Sequence, residues 1–191
     1  MNDRKTYVCP ASHAWSLDNT FRRLLQNPVK ILAPHVSEGM TAFDIGCGPG
    51  FFTIAMAELA GESGKVIAVD LQEEMLGKVH NKVRGTKLEK RIKLHRCEKE
   101  RLNITEYADF ALAFYVVHEV PDQACFFREL FSALKPCGKA LIVEPKVFHV
   151  SKKEFEETVN AGETAGFKVL PGPAMFFGRT AILERPDNIY A

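Results

Sequence analysis

Short apolar runs recur along the chain at 42–45, 66–69, 110–117 and 140–143, and between them apolar residues return at intervals of three and four. The first pattern is that of strands, the second that of helices with one buried face. Ala42, Phe43 and Ile45 open the series, which breaks at Gly46-Cys47-Gly48-Pro49-Gly50. Phe51 to Ala60 then resume at helical spacing, and Val66 to Val69 form the next strand, closed by Asp70. Glu73 and Glu74 fall in the first turn of a following helix, where the helix dipole favours acids. Met75, Val79 and Val83 make its buried stripe, and Gly85 stops it. Arg91 to Arg96 reads as a short strand, and Asp109 to Val117 is nearly continuous in apolar residues, as a central parallel strand covered on both faces is. Asp122 caps a helix with Phe126, Phe127, Leu130, Phe131 and Leu134 on its core stripe. Lys135-Pro136-Cys137-Gly138 ends that helix before a strand over Ala140 to Val143 and Glu144-Pro145. Ser151 and Glu154 make a capping box for a helix to about Ala165, and two strands, Gly166 to Leu170 and Ala174 to Glu184, follow it.

Ahead of these elements, residues 28–36 make a helical turn or two with Ile31 and Leu32 inward. Residues 1–27 are an irregular arm in which Asp18 or Asn19 is placed to cap a short helix through Leu25. The expected division is an N-terminal arm at 1–27, a domain at 28–185 and a tail at 186–191.

Thr41 to Asp70 is the stretch that points to chemistry. A strand enters a glycine turn and leaves as a helix, so the backbone approaches a ligand closely and the helix's first N–H groups face it. Asp70 ends the strand that follows this helix, where a carboxylate can accept hydrogen bonds from both hydroxyls of a ribose. A dinucleotide fingerprint requires Gly-x-Gly-x-x-Gly. Here the third glycine comes one residue early, as Gly46-x-Gly48-x-Gly50, and Phe51 stands where that pattern needs glycine.

With Asp44, Gly46, Gly48, Gly50 and Asp70, the chain resembles the class I S-adenosylmethionine (SAM) dependent methyltransferases. The segment His118-Glu119-Val120-Pro121-Asp122 after the fourth strand is similar to that of the small-molecule members related to ubiquinone and menaquinone biosynthesis. The resemblance covers Pro28 to Arg185 and implies a Rossmann-like α/β fold. Its seven-stranded sheet carries helices on both faces, and an antiparallel final strand lies between the fifth and sixth. It implies SAM as cofactor: Asp44 toward the methionine ammonium, Gly46, Cys47, Gly48, Gly50 and Phe51 around the methionine portion, Asp70 on the ribose, Leu71 and Met75 against the adenine. Relatives usually carry Gly-Asp-Ala after the third strand, its acid on the adenine amino group; this chain has Cys97-Glu98-Lys99, leaving Glu98 for that bond. They commonly read Lys-Pro-Gly-Gly where this chain has Cys137. Their N-terminal residues fold over the SAM pocket, which makes Trp15, Phe21, Arg22 and Arg23 candidates for a lid. Phe114 and Tyr115, near the carboxyl end of the fourth strand, and His118, just after it, are expected to face the slot between methyl and acceptor, since ligands sit at the carboxyl ends of parallel strands. His118 and Tyr115 are the candidate bases. A zinc motif fails, because Asp122 stands where a second histidine is needed, and no metal is expected.

The length, 191 residues, suits one domain, and the 46% hydrophobic and 26% charged content suits a globular protein. No apolar run is long enough to span a bilayer and no charged-then-apolar leader is present, so a cytoplasmic protein without a membrane span is expected. Five cysteines without repeated spacing point to reduced thiols. A net charge of +1 gives no whole-molecule pull toward nucleic acid. Locally, 78–101 holds ten basic residues against three acids; without interleaved aromatics it reads as a solvated face rather than an RNA ridge. A small-molecule acceptor is therefore expected, with nucleic acid disfavoured, acting on a monomer or homodimer.

The missing nucleophile does not argue against an enzyme, since aligning acceptor and methyl can itself supply up to about 7 to 11 kcal/mol. Competing readings are a non-catalytic SAM-binding subunit, an RNA methyltransferase, a metalloid methyltransferase using Cys9, Cys47 and Cys97, and a NAD-dependent reductase. Phe51 and the final hairpin oppose the last.

Overall fold

The computed structural model describes residues 26–146 and 150–187. The candidate lid residues Trp15, Phe21, Arg22 and Arg23, the short helix through Leu25, and Cys9 lie outside the described residues, as does the tail from 188. The described residues divide into two compact units, one of residues 26–97 and the other of residues 98–146 and 150–187.

In the first unit the order is α1 (Pro28–Leu32), β1 (Thr41–Ile45), α2 (Phe51–Leu59), β2 (Lys65–Asp70), α3 (Glu73–Val83) and β3 (Ile92–Arg96). Asn27 caps α1 through its side chain, and Pro28 opens the helix where a missing N–H costs nothing. Of its two expected inward residues Leu32 is buried and Ile31 is half-buried. β1 and β3 flank β2 in parallel, with Ile45 opposite Val69 and Asp70 opposite Arg96. α2 is buried nearly all round, with Phe51, Phe52, Thr53, Ala55, Met56 and Ala57 inside. α3 is amphipathic: Met75, Leu76, Val79 and Val83 are buried and the opposite face is exposed.

In the second unit the order is β4 (Ala108–Phe114), a 3-10 turn (Val117–Glu119), α4 (Gln123–Ala133), β5 (Leu134–Pro145), α5 (Lys152–Thr164), β6 (Lys168–Pro171) and β7 (Gly178–Glu184). β4 and β5 pair in parallel, and β7 runs antiparallel to both β5 and β6. The seven strands form one sheet of order 3-2-1-4-5-7-6, with the last strand inserted between the fifth and sixth as expected. Asp122 accepts from the Cys125 N–H at 2.8 Å, and the capping box of Ser151 and Glu154 is complete. Among the described residues no helix is long and apolar enough to cross a membrane.

Several boundaries differ from the sequence pattern: β4 ends at Phe114 rather than Val117, β6 starts at Lys168 rather than Gly166, and Leu134, expected on the core stripe of α4, opens β5. β5 begins at Leu134 rather than Ala140, because Cys137 N–H and Gly138 carbonyl pair with both backbone groups of Arg185 and draw the turn into the sheet. Cys137 sits there at φ 61°, a left-handed conformation that glycine adopts freely. β7 begins at Gly178 rather than Ala174. The carbonyls ahead of it serve other partners: Pro173 accepts from the Thr180 hydroxyl, Met175 from Lys146 Nζ, and Phe177 from the Tyr115 hydroxyl and the Lys146 amide.

Candidate functional site

The glycine turn of the first unit is built by β2. Gly46 and Cys47 both donate their N–H groups to the Val69 carbonyl, at 2.8 and 3.0 Å, and Gly48 donates to Asp70 Oδ2 at 2.9 Å. Lys82 reaches from α3 to the Pro49 carbonyl at 2.6 Å, a support that helical periodicity alone does not reveal. Gly46, Gly48 and Gly50 all take positive φ (69°, 52° and 88°). Their surroundings differ, however. A Cβ on Gly50 would meet Val79 at 3.1 Å, so this glycine lets the start of α2 pack on α3. A Cβ on Gly48 would meet nothing within 4 Å among the described residues, so the turn opens onto space there. Among those residues no side chain caps α2, whose N-cap is Gly50, and the N-terminus of such a helix attracts anionic groups.

Two carboxylates border this turn. Asp70 is 7% exposed; beyond the Gly48 bond, its Oδ1 accepts from the Gln72 N–H at 2.8 Å. Burial raises its pKa, and the N–H groups of Gln72, Gly48 and Leu71 oppose the rise. Asp44 is 2% exposed, and its Oδ2 accepts a 2.5 Å hydrogen bond from the buried Thr53 hydroxyl on α2. Cys47 is buried in the turn. Burial, then the charges of Asp44 and Asp70, raise its pKa well above the ordinary thiol value. Cys97, whose N–H donates to the Asp70 carbonyl, is raised to about 11 by burial and then by Asp70. Both are therefore neutral thiols beside two acids.

Asp44, the turn from Gly46 to Gly50, Cys47, Asp70 and Cys97 are thus brought together. Leu71 is half-buried beside Asp70. Met75 is 1% exposed on the core face of α3, and Phe51 is likewise buried, against Phe52. Glu98 belongs to the other unit and is exposed; its backbone N–H donates to the Arg101 carbonyl. The residues present fit SAM: an opening at Gly48, an uncapped helix start for a carboxylate, and a buried acid at the end of β2.

The second unit carries its own constellation at the carboxyl ends of β4 and β5. Glu144, on β5, is fully buried. Its Oε1 accepts from the Val117 N–H at 2.8 Å, and its Oε2 makes a short hydrogen bond with His118 Nδ1. Burial pulls the His118 pKa down, but the hydrogen bond and charge of Glu144, with the charges of Glu119 and Glu154, overcome it and raise the pKa above the ordinary imidazole value. Tyr115, just beyond β4, has φ 60°, uncommon for a bulky residue. Its N–H donates to the Val143 carbonyl and its hydroxyl to the Phe177 carbonyl, at 2.7 and 3.2 Å, and its ring lies 4.5 Å from that of the buried Phe114. Glu144 is not singled out by the sequence pattern; the available signal is an acid closing the apolar run Ala140 to Val143.

A family model described as "Methyltransferase domain" matches residues 36–173. The chain belongs to that methyltransferase domain family. Its curated relatives include a demethylmenaquinone methyltransferase of Lactobacillus johnsonii, 32% identical over 144 residues, which span 75% of this chain and 57% of that protein. One from Bacillus cereus is 33% identical over 109 residues, spanning 57% of this chain and 46% of that protein. The chain thus spans about half the length of these relatives. Among solved structures, a SAM-dependent methyltransferase from Aquifex aeolicus superposes with a TM-score of 0.78 at 28% identity, covering 93% of this chain and 98% of that one. A TehB-like SAM-dependent methyltransferase from Corynebacterium glutamicum, 14% identical with a TM-score of 0.70 over 91% of this chain and 98% of that one, shares the fold. The seven-stranded domain described above is therefore a class I SAM-dependent methyltransferase domain.

Proposed function

We propose that this methyltransferase domain transfers the methyl group of SAM to a small molecule carrying an ionisable O–H or C–H group. Asp70 accepts the ribose hydroxyls, Gly48 leaves room for the methionine portion, the start of α2 receives its carboxylate, and Asp44 faces its ammonium. Leu71 packs on the adenine. When bound, SAM supplies an electrophilic methyl group whose carbon–sulfur electron pair leaves with the sulfur.

The chain's remaining task is to prepare the acceptor. With Nδ1 held by Glu144, a neutral His118 carries its lone pair on Nε2, and that atom takes the acceptor's proton. Glu144 then faces an imidazolium, which its carboxylate stabilises. Tyr115 positions the loop through Phe177. The observation that carries the reading is the His118–Glu144 pair at the carboxyl ends of two parallel strands, where ligands of such sheets bind. A thiol acceptor ionises near neutral pH without help, whereas a phenol, quinol or carbon acid needs a base of this kind. The demethylmenaquinone in the relatives' names makes quinols the first class to try.

A screen with methyl-labelled SAM over phenols, quinols, thiols, arsenite and RNA tests this. Label is expected in an acceptor with an acidic hydroxyl or carbon, and only while His118 is intact. Transfer to a thiol or arsenite that persists in His118→Gln contradicts the base assignment. Absence of any transfer despite SAM binding favours the non-catalytic subunit.

A further inference from the structure

The near-neutral total of the chain hides a strong segregation of charge. Residues 78–97, which close the first unit, hold eight Lys and Arg against one acid, Glu89; the whole chain has 25 against 24, so this stretch carries +7 and the remainder −6. Glu89 is spent on the backbone, accepting from the Gly85 N–H at 2.7 Å. Lys78 pairs with Glu74, Arg91 with Glu62, and Lys82 reaches the Pro49 carbonyl. Arg84, Lys87, Lys90 and Arg96 are exposed, and their side chains have no hydrogen-bond or ion-pair partner among the described residues. β3 lies at one edge of the sheet, beside β2. Lys93 on that strand suffices to guard the edge against further pairing. Arg84, Lys87 and Lys90 lie off the strand and serve no such end.

Beside these cations α3 and β3 border a recess of about 440 Å³. Leu76 and Leu94 supply its apolar surface, and the exposed His80, Asn81 and Arg96 supply polar groups. Gly77, within α3, keeps it open, since a Cβ there would meet nothing within 4 Å. No Phe, Tyr or Trp occurs in this stretch, but bases stack equally on imidazole and guanidinium planes. The packing of α3 beside β3 brings His80 and Arg96, distant in sequence, to one recess.

We propose that this face binds single-stranded nucleic acid, one base resting in the recess against His80 and Arg96 and the neighbouring phosphates lying on Arg84, Lys87 and Lys90. The face is complementary in charge to a phosphate backbone, and Asn81 and Glu73 offer a donor and an acceptor to the edge of the base. The site lies within the first unit and is independent of which molecule accepts the methyl group. A duplex does not suit it, because only an unpaired base can be splayed into a recess. A membrane suits it less: Val29 is the one exposed large apolar residue among those described in this unit, so nothing stands ready to enter a bilayer.

The test uses the full chain and the fluorescence anisotropy of a short labelled oligouridine and of an oligothymidine of equal length, with SAM titrated calorimetrically in parallel. Saturable binding is expected at about 1 to 100 μM, with log K falling against log salt at a slope of about −2 to −3 for three or four phosphates. Preference between the two strands then tells RNA from DNA. Arg84→Gln, Lys87→Gln and Lys90→Gln combined should weaken binding by about tenfold or more at about 50 mM salt and reduce the slope to about −1. Gly77→Leu fills the recess and should weaken it by about fivefold or more with the slope unchanged. Both variants should keep SAM affinity within about twofold of wild type. No binding of either strand by a chain that binds SAM overturns the proposal, as does equal binding of a duplex. Indifference to either variant overturns it too: without an effect of the cations there is no charged face, and without one of Gly77→Leu there is no base recess. Capture by phosphatidylglycerol vesicles that the triple variant abolishes, with no oligonucleotide bound, assigns the face to a membrane and ends the proposal.

Discussion

The glycine turn of the first unit and the His118–Glu144 pair of the second both depend on buried carboxylates, but they satisfy them in opposite ways. Asp70 is held by backbone N–H groups of Gly48 and Gln72, one from the very turn it supports. Glu144 is held by one backbone N–H and by a side chain that itself titrates. A carboxylate fixed by backbone is a rigid acceptor suited to gripping hydroxyls. One fixed by imidazole changes its partner's charge with every proton taken up, which suits acid–base work. Asp44 is bonded by a side chain too, the Thr53 hydroxyl, but one that does not titrate near neutral pH, and the bond ties the end of β1 to α2.

The sharpest way to break this contrast is to remove the titrating member. His118→Gln is expected to lower kcat by about 10² to 10⁴ while SAM affinity stays unchanged. A loss of affinity with kcat intact would place His118 in cofactor binding instead. Next in size, Asp70→Ala should weaken SAM binding by about 1.5 to 3 kcal/mol, the scale of a hydrogen bond to a charged group; an unchanged dissociation constant by calorimetry would remove Asp70 from the ribose.

Glu144→Gln should act on the pH profile. Wild-type kcat is expected to rise with pH as His118 loses its proton, at a pH above the ordinary imidazole range because Glu144 outweighs burial. Without that charge the rise moves to lower pH and its plateau falls by about tenfold, for a weaker and less well held base. The same shift has a stability counterpart. A folded-state pKa raised above the unfolded value of about 6.5 stabilises the fold at pH below that value, and the contribution is lost as pH rises through the raised one. Denaturant titrations of wild type and variant should therefore differ most under acidic conditions and converge at high pH.

The smallest effects concern the backbone. Cys137→Gly should stabilise the chain by about 0.5 to 1 kcal/mol, because relief of the left-handed conformation exceeds the entropy that glycine adds to the unfolded state. Lys82→Met should cost under about 1 kcal/mol in stability, as it loses a partly screened bond to Pro49.

The contrast also explains what was legible in the sequence. Asp44, the glycines and Asp70 lie within a single run of strand, turn, helix and strand, so local pattern sufficed to join them. His118 was visible as an ionisable residue after an apolar strand, yet its partner lies on the following strand, beyond an intervening helix, and is brought to it only by the parallel pairing of β4 with β5. Periodicity marks strands without stating which ends adjoin. The same reason hid Lys82, whose partner Pro49 lies on the far side of two further elements, and the loop ahead of β7, whose carbonyls are taken by Thr180, Lys146 and Tyr115. Met75 shows the converse: periodicity alone places it on the buried stripe of α3, where it is 1% exposed.

The grip of the first unit on a sulfonium nucleoside underlies every functional statement made for the second. Calorimetric titration of the full chain with SAM and, separately, with NADH tests it most directly. One SAM bound per chain and no heat with NADH is the predicted result; saturable NADH binding with none of SAM would contradict it.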